Sequence, residues 1–295
     1  MTTGLQMSRV NNLYRIGLNV PDLGAAGIFY DSCWAMRPSG SDANELCFRS
    51  AESEHSDLLL FGATEASLNH IGFEVDSIDD LNQILRAVDA AGYTVVQHPQ
   101  NGKRPDELVV AVISDVDGNR VELIVPRRTS NFEEVSSREG PKRIGHVVLW
   151  TPQERLTEQE RFYSLLGLAV TDRTHIGMSF LRCSLTHHSL ALAKNSHQRT
   201  GFQHVAYDVG SIDDVMRNLA RLKEKGVPCI WGVGRHGPGN NIFSYYRDPA
   251  GNVVEYYGDM EVVDRLEVET PVFWGPEHKG DIWGVSGPPP EAFRG

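Results

Sequence analysis

The segment LNHIGFEVDSIDDLNQIL at residues 68–85 returns as FQHVAYDVGSIDDVMRNL at residues 202–219. His70 falls on His204, and Ser77-Ile78-Asp79-Asp80 falls on Ser211-Ile212-Asp213-Asp214. Self-similarity at a fixed order marks two copies of one structural unit. The match extends both ways. Downstream, SDVDGNRVELIV aligns with YRDPAGNVVEYY and sets Glu122 on Glu255. Upstream, YRIGLNV aligns with KRIGHVVL and sets Leu18 on His146. His70 precedes Glu122 by 52 residues and His204 precedes Glu255 by 51, so spacing is kept as well as order. The chain divides into two homologous modules, 10–128 and 142–260. A tail, 261–295, is rich in Pro, Gly and Trp and is expected to be irregular.

Within each module, RIGLNV, LNHIGFEV and RVELIV are short apolar runs bounded by turn residues, which predicts strands. Ser77-x-x-Asp80 and Ser211-x-x-Asp214 are helix-opening signatures, and Thr157-x-x-Glu160 reads as a capping box ahead of RFYSLLGL. Asp117-Gly118-Asn119 and Ala250-Gly251-Asn252 predict turns before the last strand of each copy. Strands and helices interleave as strand, helix, several strands, twice per module, which predicts an α+β fold.

The composition narrows the function. With 295 residues, 40% of them hydrophobic, the chain suits two globular domains rather than a disordered or coiled-coil polypeptide. The net charge of −11 argues against a nucleic-acid or anionic-membrane partner, each of which needs a cationic face. Arg127-Arg128 is a basic pair at a segment boundary. No apolar run reaches the roughly 18 residues of a spanning helix. The opening MTTGLQMSRVNNLYRIG lacks the charged and apolar regions of a signal peptide. Cys33, Cys47, Cys183 and Cys229 lie far apart, without a disulfide or zinc-thiolate spacing. These features together predict a cytoplasmic protein.

The chemistry is read from where the two copies differ. The second copy carries His146, His204 and Glu255 on three equivalent strands, and the first carries Leu18, His70 and Glu122. Two imidazoles and one carboxylate on one face leave open coordination positions, the arrangement of non-haem Fe(II) oxygenases. Zinc hydrolases use a similar set. With Leu18 in place of a ligand, the first copy is expected to be a metal-free relic.

The motifs RIGHVVL, HHSLAL, FQHVAYDV and GRHGPGNNIFSYYRDPAGNVVEYY resemble those of the type I extradiol catechol dioxygenases of the vicinal oxygen chelate superfamily. The resemblance spans residues 10–260. It implies paired βαβββ motifs in each module, curled into an incomplete barrel around a metal. It implies Fe(II), with Mn(II) an acceptable substitute, on His146, His204 and Glu255. Catalytic roles fall on His188, His236 and Tyr246. Strand alternation by itself allows only one of His187 and His188, and one of Tyr245 and Tyr246, to face the site; the resemblance selects His188 and Tyr246. It leaves open whether Asn240 or Asn241 touches substrate.

The reaction implied is insertion of O2 into a catechol outside its diol. The product is of the 2-hydroxymuconic-semialdehyde type, as in the catabolism of aromatic compounds. Arg235, Arg247 and Arg294 are candidates for a substrate carboxylate, and Trp274 and Trp283 for a lid. A homo-oligomer is also implied. The same fold serves metal-dependent glyoxalases and epimerases, and metal-free resistance proteins that sequester small molecules; these remain the alternatives.

Overall fold

The computed structural model describes residues 9–128, 139–264 and 270–293. Two mixed sheets dominate it. The first module contributes β1 (Val10–Val20), α1 (Leu23–Ile28), β2 (Arg37–Asp42), β3 (Glu45–Arg49) and β4 (Leu58–Gly62). It continues with β5 (Ser67–Val75), α2 (Ile78–Ala90), β6 (Val95–Asn101), β7 (Glu107–Ser114) and β8 (Arg120–Pro126). The second repeats the order: β9 (Arg143–Pro152), α3 (Leu156–Leu165), β10 (Ala169–Thr174), β11 (Met178–Arg182) and β12 (Leu190–Asn195). Then follow β13 (Gly201–Gly210), α4 (Ile212–Glu224), β14 (Trp231–Arg235), β15 (Ile242–Arg247) and β16 (Val253–Gly258). Each module is thus two βαβββ motifs, joined where β1 meets β5 and where β9 meets β13 in antiparallel pairs.

The tail is not wholly irregular. Val272–Trp274 forms β17, which pairs in parallel with β10 and extends the second sheet to nine strands. Its backbone groups find partners along that open edge, so a sequence without strand periodicity is nevertheless held extended.

Local signals act as the sequence predicts at α2 and α4. The Ser77 hydroxyl accepts from the Asp80 amide, and Ser211 with Asp214 forms a reciprocal capping box. The third expected box does not form. Helix α3 starts at Leu156 without a side-chain cap, and Glu160 instead binds Arg173 and Ser179 on the neighbouring strands. A charge-assisted contact with Arg173 (2.7 Å) competes successfully for the same carboxylate.

Alternation sorts each strand between two faces. On β9, Val147 and Leu149 enter the main core, whereas His146 and Val148 face a cavity. That core runs continuously through both modules. Trp34, beyond α1, stacks on Tyr256 of the second sheet with ring centroids 3.7 Å apart. Tyr163 of α3 reaches back to Asp115 of the first module at 2.9 Å. Aromatic and polar contacts thus join the two modules through this core.

Candidate metal centre

The three central strands β9, β13 and β16 place the triad. Ala206 of β13 lies opposite His146 on one side and Glu255 on the other, which puts those two residues in one row. His204 stands two residues back on the same strand face. His146 Nε2 and His204 Nε2 converge on Glu255 Oε2 at 3.3 and 3.2 Å. The ligand atoms lie within 4.8 Å of one another, and all three residues are buried.

The donor set fits a cation. His204 Nδ1 faces the Gln203 side-chain oxygen at 2.8 Å and so carries a proton, which leaves Nε2 as a lone pair in the neutral ring. That lone pair points at a fully buried carboxylate oxygen. Neither atom has a hydrogen-bond partner among the described residues. Two acceptors face to face are repulsive unless a positive charge sits between them. Burial would raise the Glu255 pKa, but His146 and His204 hold it well below the usual carboxylate range. Burial lowers the His204 pKa, despite Glu255, and favours the neutral ring that a metal requires.

The cavity in front of the triad has a volume of about 150 Å³. Val148, Phe180, Trp231, Trp274, Pro238 and Phe293 supply most of its apolar wall, with His188, His236, Asn241 and Tyr245 among its polar groups. The His188 ring lies 4.3 Å from that of His146, while His187 turns away to Asp172 at 3.1 Å. His236 Nδ1 donates to the Gly280 carbonyl at 2.7 Å. Its Nε2 therefore accepts from the Tyr245 hydroxyl at 3.0 Å. Asn241 is buried and donates to Glu255 Oε1 at 3.4 Å. Asn240 points elsewhere; its carbonyl serves the Arg235 side chain, at a positive φ of 52°.

Tyr246 requires a correction. It lies on the opposite face of β15, in the main core with Trp34 at 5.6 Å between ring centroids. Tyr245 stands directly across from Glu255 in the antiparallel β15–β16 pair and so shares its face. The signal was present in sequence, because Tyr245 and Glu255 lie five residues either side of Ala250, the centre of the turn. Gln203, Trp231 and Phe293 were also missed, since nothing in their local patterns marks them.

A second correction concerns the first module. Strand register puts Arg15, not Leu18, at the His146 position. Arg15 faces Gly72 as His146 faces Ala206, and Gly72 and Ala206 in turn face Glu122 and Glu255. Leu18 belongs to the core. Arg15 Nη2 meets Glu122 Oε2 at 2.7 Å and Nη1 meets Glu107 Oε1 at 2.6 Å. His70 Nε2 stands 3.4 Å from that Glu122 oxygen, with its Nδ1 on Asn69. Burial pushes the His70 pKa down to about 3, so its ring is neutral. A guanidinium thus supplies the positive charge where the second module is built for a metal.

Arg235 binds the Asn240 carbonyl and lies over Trp283, and Arg247 binds the Gly251 carbonyl; neither lines the cavity. Arg294 lies outside the described residues. Trp274 is part of the cavity wall, whereas Trp283 is not.

A fold of two tandem βαβββ modules with a buried His-His-Glu cluster defines a class, and sequence comparison agrees with it. The family pattern of the Glyoxalase/Bleomycin resistance protein/Dioxygenase superfamily matches residues 13–123 and 143–256, and the chain belongs to this superfamily. Within it, the chain is a distant homologue of the extradiol ring-cleaving dioxygenases. It is 29% identical to metapyrocatechase 2 of Cupriavidus necator, over 91% of this chain and 90% of that protein. It is 26% identical to the 3-methylcatechol 2,3-dioxygenase of Pseudomonas putida, over 88% and 94% respectively. Among solved structures, a Mn(II)-bound glyoxalase from Novosphingobium aromaticivorans matches at a TM-score of 0.88 and 32% identity, covering 98% of this chain and 95% of that one. An extradiol ring-cleaving dioxygenase from B. fuscum shares the fold at a TM-score of 0.83 and 20% identity, over 94% and 80%.

Proposed function

We propose that the chain is a metal-dependent extradiol dioxygenase that opens the ring of a catechol with O2, in the cytoplasm. The observation that carries this reading is the convergence of His146, His204 and Glu255 at the base of a cavity that also presents His188, Tyr245, His236 and Asn241. His146, His204 and Glu255 would hold the metal, Fe(II) or Mn(II). Relatives include proteins described as iron-dependent and as manganese-dependent. When bound, the metal would anchor both catechol oxygens, lower their pKa and pass electron density from the ring to O2.

The protein's own groups do the rest. His188 takes the proton that a catechol hydroxyl sheds on binding and returns it when the ring opens, a task suited to an imidazole at neutral pH. Burial, reinforced by His146, pushes the His188 pKa well down and keeps the free ring neutral. The His236–Tyr245 pair orients the substrate oxygens, its tautomer fixed by the Gly280 carbonyl. Asn241 steadies the second oxygen of Glu255. Trp231, Phe180 and Trp274 exclude water from the ring. Arg235 and Arg247 turn elsewhere, and the cation on the cavity lining is Lys279, which offers a partner for a substrate carboxylate.

The test is anaerobic purification, reconstitution with Fe(II) or Mn(II), and oxygen uptake with visible absorbance against alkyl, aryl and carboxylated catechols. Oxygen uptake matched by a yellow product supports the reading. Stoichiometric metal without uptake would favour a glyoxalase-type isomerase, the second reading, for which the likeness to the Mn(II)-bound glyoxalase speaks. Absence of both would leave a small-molecule-binding protein. His146→Ala should lose the metal, whereas His70→Ala should keep it.

A further inference from the structure

Behind the cavity histidine lie two buried polar residues, Asp172 and His187, that the reaction scheme above does not use. Asp172, on β10, and His187 and His188, ahead of β12, are each no more than 3% exposed. His187 Nε2 lies 3.1 Å from Asp172 Oδ2. His187 Nδ1 lies 3.0 Å from His188 Nδ1. Trp274, from the tail strand β17, donates its indole N–H to the same Asp172 oxygen at 2.6 Å. The Thr171 hydroxyl donates to the His187 carbonyl at 2.9 Å and fixes that residue's backbone.

Hydrogen-bond logic assigns each proton. An ionised carboxylate only accepts, so His187 must carry its proton on Nε2. In the neutral ring Nδ1 is then a lone pair. Two lone pairs cannot share a 3.0 Å contact, so His188 donates from Nδ1. His188 Nε2 is left bare and has no protein partner among the described residues. We propose that Asp172 and His187 are positioning residues that lock His188 in the Nδ1–H tautomer and present Nε2 to the cavity as an acceptor for a substrate hydroxyl. The role assigned to that acceptor rests on the dioxygenase reading; the tautomer does not.

The tail enters this arrangement. The Trp274 indole lines the cavity and also holds the carboxylate that orients His187. Seating of β17 on β10 therefore completes both the cavity wall and the orienting chain. Groups hydrogen-bonded behind a reacting imidazole in this way fix its ring orientation and tautomer.

The experiment has two arms. Nitrogen-15 NMR of the histidine side chains, on protein loaded with diamagnetic Zn(II), reads the tautomers directly. The expected spectrum has His188 protonated at Nδ1 and bare at Nε2, with a tautomer mixture in His187→Leu. The reverse assignment in the unaltered protein overturns the proposal, whatever the enzyme's reaction. The kinetic arm compares His187→Leu, which removes the acceptor, with His187→Asn, whose side-chain oxygen takes the place of Nδ1 and restores one. In Fe(II)-loaded protein, His187→Leu should lower kcat by about 10- to 100-fold with metal content and catechol KM little changed. His187→Asn should recover most of the loss. Equal kcat in both variants would reduce His187 to a packing residue and sink the positioning role. Failure of the unaltered protein to consume O2 would instead count against the dioxygenase reading and leave the NMR arm to decide the tautomer.

Discussion

Arg15 and His146 occupy the same place in the two copies of one fold, the first 2.7 Å from Glu122 and the second 3.3 Å from Glu255. Both glutamates are buried and both face a histidine held by a neighbouring amide side chain, Asn69 or Gln203. The architecture demands a positive charge at this point, and the two modules satisfy it differently. In one the charge is covalently part of the chain; in the other it must be acquired.

Removal of Arg15 should therefore be costly. Arg15→Ala would leave Glu107 and Glu122 buried beside an empty space, and loss of one partner from such an ion pair typically destabilises by about 3–5 kcal/mol. Denaturant titration should register that loss while the metal content of the second module stays as it was. Arg15→His is the sharper case, because it recreates the two-imidazole, one-carboxylate set. We expect a second equivalent of metal per chain, measured by elemental analysis after dialysis. If the metal content stays unchanged, the equivalence of the two positions does not extend to coordination.

Tyr245→Phe and Tyr246→Phe should separate cleanly. Tyr245 donates to His236 inside the cavity, so loss of its hydroxyl should lower kcat/KM by about 10- to 100-fold. The Tyr246 hydroxyl is buried without a hydrogen-bond partner among the described residues, so its removal should leave activity intact and stability unchanged or slightly raised. Steady-state kinetics and thermal melts of both variants check this. A loss of turnover in Tyr246→Phe alone would contradict the strand register.

Much of this was legible because a repeat displays its own rules. His204, Glu255 and the two Ser-x-x-Asp helix starts stand out once the copies are aligned, since identical folds need identical residues where register and capping are set. The Arg15 position was hidden by a chance match. The triplet Arg-Ile-Gly occurs in β1 and in β9, but bulges beside Tyr14 and Gly145 set the true register three residues away. An odd slip reverses the strand face, so a core leucine was paired with a ligand histidine. The spacing gave the better guide: Arg15 precedes His70 by 55 residues, nearer the 58 between His146 and His204 than Leu18. Gln203, Trp274 and the tail carry no period and are placed only by tertiary contact.

The pH dependence of stability should carry the mark of Asp57. This carboxylate is fully buried and accepts from the Ser50 amide at 3.1 Å. Burial raises its pKa to about 7, against a smaller opposing effect from Ser50. A raised carboxyl pKa means that the folded state binds more protons than the unfolded chain between about pH 4 and 7. Stability from this group therefore falls as pH rises through that window, and the full cost is present above it. Asp57→Asn removes the charge and keeps an oxygen for Ser50. Its stability relative to the parent should climb between pH 4 and 7 by on the order of 3–4 kcal/mol, then level off. A flat difference across that range would mean that Asp57 is not strained by its burial.

Asp281 governs the tail's hold on the cavity. Its two oxygens accept from the amides of Arg235, Trp283, Val285 and Ser286 and from the Ser286 hydroxyl, all within 3.0 Å. The adjacent Gly280 carbonyl is the group that fixes His236, and Gly287 receives the Trp231 indole N–H at 3.2 Å. One carboxylate thus anchors the loop on which two cavity groups depend. Asp281→Ala should release the amides of Val285 and Ser286, which hydrogen exchange would detect as lost protection. With the Gly280 carbonyl no longer fixed, His236 can take either tautomer, and the cavity wall at Trp231 loosens. Catechol KM should then rise about tenfold or more, with a smaller fall in kcat and no change in metal content, because His146, His204 and Glu255 lie on the central strands. Loss of metal in this variant would show instead that the tail supports the ligand strands themselves.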